Sequence, residues 1–101
     1  MTAVKDRVEQ LIADNGVVVF SKSYCPYCVK AKKLLQELNV KMTVVELDED
    51  EQGPAIQAYL QEKTGQRTVP NIFIGQEHIG GCDDLFKLKS SGKLDALLAK
   101  L

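Results

Sequence analysis

Two cysteines separated by two residues are the feature that most constrains this sequence. Cys25-Pro26-Tyr27-Cys28 follows a short apolar run, Val17 to Phe20, whose three β-branched residues favour a buried strand. Pro26 fits the first turn of a helix, where its missing N–H costs no hydrogen bond. Apolar residues at helical spacing continue that helix to about Asn39. The pattern predicts a strand, a short loop and a helix that begins at the cysteine pair.

The rest of the chain predicts further short strands alternating with helices. The remaining predicted strands are Met42–Leu47, Asn71–Ile74 and, after a hairpin turn at Gly75-Gln76, the residues near His78-Ile79. The remaining predicted helices run from Val4 to a stop at Gly16, from Pro54 to Gly65, from Asp83 or Asp84 to Gly92, and from Leu94 to Leu101. The two strand–helix–strand passages predict parallel pairing with right-handed crossovers. We therefore predict a single α/β domain over residues 1–101, a four-stranded mixed sheet with about five helices on its two faces.

The C-x-x-C spacing points to reversible disulfide chemistry. Side chains three residues apart on a helix have Cβ atoms about 5–6 Å apart, so a small adjustment allows a disulfide. Cys25 sits at the helix start, where free backbone N–H groups and the helix dipole favour the thiolate, and Lys22 adds positive charge. Cys28 lies one turn inside and is expected to be less accessible. We predict that Cys25 attacks and that Cys28 resolves.

Two other interpretations of the cysteines stay open at this point. Buried free cysteines often serve as small apolar core residues. Alternatively, His78 and Cys82 could join Cys25 and Cys28 as metal ligands. The two halves of such a site are separated by far more chain than a zinc finger uses, so we expect no metal ion.

Net charge and hydropathy limit the possible classes of partner. The formal net charge is -1, which gives no electrostatic reason to bind nucleic acid or an anionic membrane surface. No apolar run approaches the roughly 20 residues of a membrane-spanning helix. Asp6, Glu9 and Asp14 interrupt the first residues, unlike a signal or transit peptide. We expect a monomer in the reducing cytoplasm, without nucleic-acid or membrane partners.

Three short motifs carry a family resemblance. Cys25-Pro26-Tyr27-Cys28, Thr68-Val69-Pro70 and Gly80-Gly81-Cys82-Asp83 together resemble the dithiol glutaredoxins, in the family's order and over nearly the whole chain. The resemblance implies a thioredoxin-like fold and an enzyme that reduces protein–glutathione mixed disulfides and protein disulfides. It also implies glutathione as the electron-donating cosubstrate and no permanently bound cofactor.

The resemblance further suggests a glutathione groove. Its implied residues are Lys22, Tyr27, Gln57, Arg67, Thr68, Val69, Pro70, Gly81, Cys82 and Asp83. Donors on Lys22, Gln57 and Arg67 would hold the glycine carboxylate, although such side chains can equally be solvated surface groups. Asp83 would pair with the γ-glutamyl ammonium, or would only cap a helix.

The groove's other residues have physical interpretations of their own. Val69 precedes a proline, so its backbone is biased to an extended conformation that could pair with the ligand as a strand does. The resemblance implies a cis peptide bond at Pro70. Tyr27 is favoured over Tyr24 as a ligand contact because it lies within the motif, and Cys82 is favoured as a spectator thiol over a second redox centre.

Two further functions compete with glutathione-dependent reduction. Some glutaredoxin-like proteins carry an iron–sulfur cluster held by the first cysteine and glutathione across a dimer. The rigid Pro26 argues against that function here, because a cluster needs local adjustment. Thioredoxin-like reduction driven by a reductase protein is disfavoured because thioredoxins typically carry Gly-Pro between the cysteines.

Overall fold

The computed structural model describes residues 2–101, which form five helices and four strands. The helices are α1 (Thr2–Asp14), α2 (Pro26–Glu37), α3 (Gly53–Thr64), α4 (Cys82–Ser90) and α5 (Lys93–Ala99). The strands are β1 (Val17–Ser21), β2 (Thr43–Glu46), β3 (Asn71–Ile74) and β4 (Glu77–Gly80). No helix in this part of the chain is long and apolar enough to cross a membrane.

Local chemistry explains most element boundaries. Pro26 lies in the first turn of α2, as its sequence position predicts. Gly65 ends α3 in the left-handed region with φ 80°, a conformation that glycine adopts without steric penalty. The prediction that α4 starts at Asp83 or Asp84 was wrong. The helix starts at Cys82, because extended Gly81 is the N-cap and its N–H donates to Asp84 Oδ2 at 3.0 Å.

The sheet is mixed, with strand order β2-β1-β3-β4. β1 and β2 pair in parallel, whereas β3 runs antiparallel to both β1 and β4. Parallel pairing after the second strand–helix–strand passage was therefore a wrong prediction. The physical reason is the connection after α3, which starts β3 at Asn71, opposite Phe20 and beside the C-terminal end of β1. This reversal brings the segment just before β3 next to the C-terminal end of β1, where the cysteine pair lies.

Helices cover both faces of the sheet. On one face, α1 and α3 pack over Val18 and Phe20. On the other, α2, α4 and α5 pack over Val17 and Val19. All five residues of β1 are buried, as the apolar run predicts for a central strand. Burying a Val or Phe side chain stabilises by about 1.5–3 kcal/mol each, so β1 is a rigid support for the loop that follows it.

Candidate active site

Cys25 lies between the start of α2 and the segment that precedes β3. It is the N-cap of α2, with extended backbone angles of φ -82° and ψ 119°. Its N–H donates to the Lys22 carbonyl at 3.0 Å, which closes the turn after β1. Its half-buried Sγ is 3.8 Å from the Val69 carbonyl oxygen. The nucleophile predicted from the sequence is thus accessible and lies beside the Thr68-Val69-Pro70 segment.

The two thiols of the pair differ in burial and in acidity. Burial alone would raise the pKa of Cys25, but the Cys28 backbone N–H and thiol, the Tyr27 N–H and the Lys22 charge outweigh it, so the pKa is lowered. Cys28 is fully buried, and that burial raises its pKa. At neutral pH the thiolate therefore forms preferentially on Cys25, in the direction that the helix start predicts.

Ser21 is a polar residue buried beside the resolving thiol. It ends β1, and by strand alternation its side chain faces α2, as do those of Val17 and Val19. Its hydroxyl has no regular hydrogen-bond partner within residues 2–101. Against the larger effect of burial, the Ser21 hydroxyl lowers the pKa of Cys28. The sequence pattern carried no signal for this contact.

An open cleft of about 430 Å³ lies beside the cysteine pair. Seven of the predicted groove residues line it: Tyr27, Thr68, Val69, Pro70, Gly81, Cys82 and Asp83. Gln66 and Asp84 also line it and were missed by the sequence reasoning. Their only signal was adjacency to the two motifs that form the cleft.

Three predicted groove residues do not line this cleft: Lys22, Gln57 and Arg67. Lys22 acts on Cys25 through its charge and its carbonyl. Gln57 Nε2 donates to the Arg67 carbonyl at 2.8 Å, which ties α3 to the loop before β3. Within residues 2–101 neither Lys22 nor Arg67 forms an ion pair, so both cations remain free to meet an anion.

The start of α4 forms the opposite wall of the cleft. Because Gly81 is the N-cap, the alternative in which Asp83 caps this helix is wrong. Asp83 is exposed, and its carboxylate has no hydrogen bond or ion pair with another described residue. Cys82 is buried, and burial raises its pKa, with Asp83 and Cys25 adding to that rise while Lys30 opposes it. A protonated, buried thiol supports the prediction that Cys82 is a spectator.

The remaining sequence expectations concern Pro70, the tyrosines and His78. The Val69–Pro70 peptide bond is cis, which confirms the prediction made from the resemblance. Tyr27 lines the cleft and is 62% exposed, whereas Tyr24 is 70% exposed and does not line it. His78 contacts the Phe73 ring and the Gln66 side chain rather than a cysteine. No group of three or more His, Cys, Asp or Glu in residues 2–101 is placed to hold a metal ion.

Comparison with known proteins decides the family. Residues 17–79 match the family profile described as Glutaredoxin. Glutaredoxin-1 of Rhizophagus irregularis is 59% identical over 101 residues, which is 100% of both chains. The chain belongs to the glutaredoxin family. Glutaredoxin-C2 of Arabidopsis thaliana is 53% identical over 94 residues, covering 93% of this glutaredoxin and 85% of the relative.

Solved structures agree with this membership. A buckwheat glutaredoxin, crystallised in complex with glutathione, matches with a TM-score of 0.96 and 46% identity, over 98% of this chain and 90% of that one. Glutaredoxin C1 of Populus tremula x tremuloides, in its holo form, matches with a TM-score of 0.93 and 42% identity, over 97% of both chains. The predicted thioredoxin-like fold is thus confirmed. Membership also supports a thiol oxidoreductase, and an iron–sulfur carrier is not favoured.

Proposed function

We propose that this glutaredoxin is a glutathione-dependent thiol–disulfide oxidoreductase that reduces protein–glutathione mixed disulfides and protein disulfides. The contrast between its two active-site thiols carries the proposal. Cys25 is half-buried at the helix start with a lowered pKa, whereas Cys28 is fully buried with a raised pKa. Such a pair supplies one thiolate for attack and one thiol held in reserve for resolution.

The reaction on a protein–glutathione mixed disulfide balances without a bound cofactor. The Cys25 thiolate attacks the glutathione sulfur, the disulfide bond breaks, and the protein thiolate leaves and takes up a proton. Cys25 then carries glutathione as a mixed disulfide. A second glutathione thiolate attacks the glutathione sulfur of that bond, which regenerates the Cys25 thiolate and releases glutathione disulfide. The net reaction converts the mixed disulfide and one free glutathione into the protein thiol and glutathione disulfide.

Protein disulfides follow a second route. The Cys25 thiolate attacks one sulfur of the disulfide and forms a mixed disulfide with the protein. Cys28 then loses its proton and attacks the Cys25 sulfur, which releases the reduced protein and leaves a Cys25–Cys28 disulfide. Two glutathione molecules reduce that bond. Because burial raises the pKa of Cys28, this route is expected to be slower at neutral pH.

The cleft beside Cys25 suits the chemistry of glutathione, which carries two carboxylates and one ammonium. The exposed Asp83 carboxylate, which lines the cleft and has no partner within residues 2–101, is proposed to pair with the γ-glutamyl ammonium. Backbone N–H groups at the start of α4 suit the neighbouring carboxylate. Lys22, Gln57 and Arg67 are proposed to meet the glycine carboxylate beyond the cleft wall. The buckwheat relative crystallised with glutathione supports this assignment.

A glutathione-coupled reduction assay tests the proposal. We expect Cys25→Ser to abolish the reduction of both substrate classes. Cys28→Ser should retain the reduction of a glutathionylated peptide and lose that of a protein disulfide, because only the second route uses Cys28. Ser90→Ala, at an exposed position at the end of α4, is the control with near wild-type turnover. A dead Cys28→Ser beside an active Cys25→Ser would reverse the assignment.

The remaining expectations about the cellular setting are also proposals. We propose that the protein acts as a monomer in the reducing cytoplasm, where its thiols stay reduced and glutathione is available. Size-exclusion chromatography with light scattering would test the monomer. A fluorescent fusion would test the location, and accumulation in an oxidising compartment would contradict it.

A further inference from the structure

The side chain of Gln66 connects two carbonyls of the cleft wall to His78 on β4. Its Nε2 donates to the Thr68 carbonyl at 3.0 Å and to the Pro70 carbonyl at 2.9 Å. Its Oε1 is 3.2 Å from His78 Nε2 on β4. The residue is half-buried, lines the cleft and belongs to none of the three family motifs.

The two carbonyls determine how the Gln66 amide is oriented. Both amide hydrogens are used, one on each carbonyl, so the amide oxygen faces His78 and must accept. His78 Nε2 is therefore the protonated nitrogen of the ring. The ring contacts Phe73, with centroids 5.2 Å apart, and this contact places the donor on β4. The hydrogen bonds form a chain from the sheet through Gln66 to the loop before β3.

The two carbonyls held by Gln66 flank Val69. The Val69 carbonyl is the group that lies 3.8 Å from Cys25 Sγ. The Val69 N–H donates no hydrogen bond to another residue of the described chain. Gln66 thus holds the Thr68–Val69 peptide and the peptide that follows Pro70, while the N–H of Val69 remains free for a ligand.

We infer that Gln66 is a positioning residue that holds the Val69 backbone ready to pair with the extended backbone of glutathione, and that His78 orients Gln66 for this purpose. The inference rests on the proposed function, because it takes glutathione as the ligand. Gln66 touches neither Cys25 nor a reacting atom, so it acts on binding and not on the chemistry of the thiolate.

The expected effect is a loss of preorganisation. When the binding-competent conformation is populated only part of the time, the apparent affinity falls by that fraction. If releasing the two carbonyls lowers the competent population of Val69 to about one in ten, KM for a glutathionylated substrate rises about tenfold. The turnover number stays within about twofold, since the bound complex recovers the same geometry.

The main test compares Gln66→Met with wild type in the glutathione-coupled assay. Methionine has a similar length and no donor, and Gln61→Met, at an exposed position of α3, is the matched control. We expect KM for a glutathionylated peptide to rise about tenfold in Gln66→Met, with kcat and the rate of Cys25 alkylation by iodoacetamide unchanged. Gln61→Met should behave as wild type. An unchanged KM would overturn the inference. A rise in KM accompanied by a fall in kcat and in the alkylation rate would overturn it too.

Two further variants separate positioning from general structural damage. Gln66→Glu puts an oxygen in place of the donor and should raise KM at least as much as Gln66→Met. A wild-type KM in Gln66→Glu would refute the donor role. His78→Phe keeps a ring against Phe73, should raise KM about threefold on its own, and should add nothing in the Gln66→Met background. A full additional effect there would refute the hydrogen-bond chain.

A measurement on the free protein keeps this inference distinct from the proposed function. The ¹⁵N order parameters of the Thr68 and Val69 amides should fall in Gln66→Met and stay at wild-type values in Gln61→Met. If wild type shows no glutathione-dependent turnover, the proposed function fails, whereas the order parameters still decide whether Gln66 holds Val69. Unchanged order parameters in Gln66→Met would overturn the positioning role itself.

Discussion

Removing the charge of Asp83 is the sharpest test of how this glutaredoxin recognises its substrate. Asp83 is exposed on the first turn of α4, lines the cleft beside Cys25 and has no partner within residues 2–101. Gly81 is the helix N-cap, and Asp84 accepts its N–H. Asp83→Asn therefore removes a charge and leaves both the cap and the side-chain shape in place.

The magnitude follows from the type of contact proposed. A hydrogen bond between an ammonium and a carboxylate is worth about 1.5–3 kcal/mol. Water reaches Asp83, so the lower end of that range applies. Since about 1.4 kcal/mol corresponds to a factor of ten, kcat/KM for a glutathionylated peptide is expected to fall about tenfold in Asp83→Asn.

The assay pairs two substrates and a charge control. Reduction of a small disulfide that contains no glutathione, driven by dithiothreitol, should barely change in Asp83→Asn. Such a substrate does not depend on a contact between Asp83 and the γ-glutamyl ammonium. Glu37→Gln makes the same change in net charge at the far end of α2 and should leave both activities at wild-type values. Equal losses on the two substrates would show that Asp83 acts on structure or chemistry, and the recognition role would be abandoned.

Three further predictions address the thiolate and the stability of the fold. Iodoacetamide alkylation of Cys25, followed by mass spectrometry across a pH series, should show a midpoint below the free-thiol value of about 8.5, and a midpoint at that value would contradict an activated thiolate. Gly80→Ala should lower the free energy of unfolding in urea by about 1–3 kcal/mol, because Gly80 has φ 115° and an added Cβ would lie 2.3 Å from Asp84 Oδ2. Wild-type stability in Gly80→Ala would refute the described turn. Arg7 lowers the pKa of Asp50 to about 2. The ion pair therefore stabilises the folded state at pH values above about 3.9, the pKa of an aspartate in the unfolded chain. Asp50→Asn should lower the free energy of unfolding by up to about 1 kcal/mol at pH 7. The unfolding free energies of wild type and Asp50→Asn should converge as pH falls from 4 toward 2. A difference that stays constant with pH would exclude the ion pair as its cause.

Much of the site's local structure could be predicted because it depends on neighbours in the chain. The apolar run before the cysteines reads as a buried strand, and Pro26 after Cys25 reads as a helix start. Together these features place one cysteine at a helix N-terminus and the other a turn inside. The unequal acidity of the two thiols follows from that placement, and the structure agrees in direction for both.

The direction of β3, which was predicted wrongly, depends on contacts between distant residues. The apolar pattern of β3 is the same for a parallel and an antiparallel strand, so its direction was decided by where the segment after α3 returns to the sheet. The start of α4 was misplaced for a local reason, because its cap uses Gly81 and the side chain of Asp84, three residues later. Gln66 was missed because its bonds to the Thr68 and Pro70 carbonyls depend on the conformation of the loop before β3, and its contact with His78 forms only after β3 and β4 have paired.

The sequence by itself determined the helix that starts at Cys25, the buried strand that supports it and, through three short motifs, the family. Residue periodicity and turn chemistry are local properties, and they report burial and helix ends directly. Only the tertiary structure decided that the Val69 carbonyl lies 3.8 Å from Cys25 Sγ, 44 residues away along the chain. The cleft exists because β3 is antiparallel to β1, so the segment before β3 lies next to the loop after β1. Such long-range placement depends on how the helices pack over both faces of the sheet.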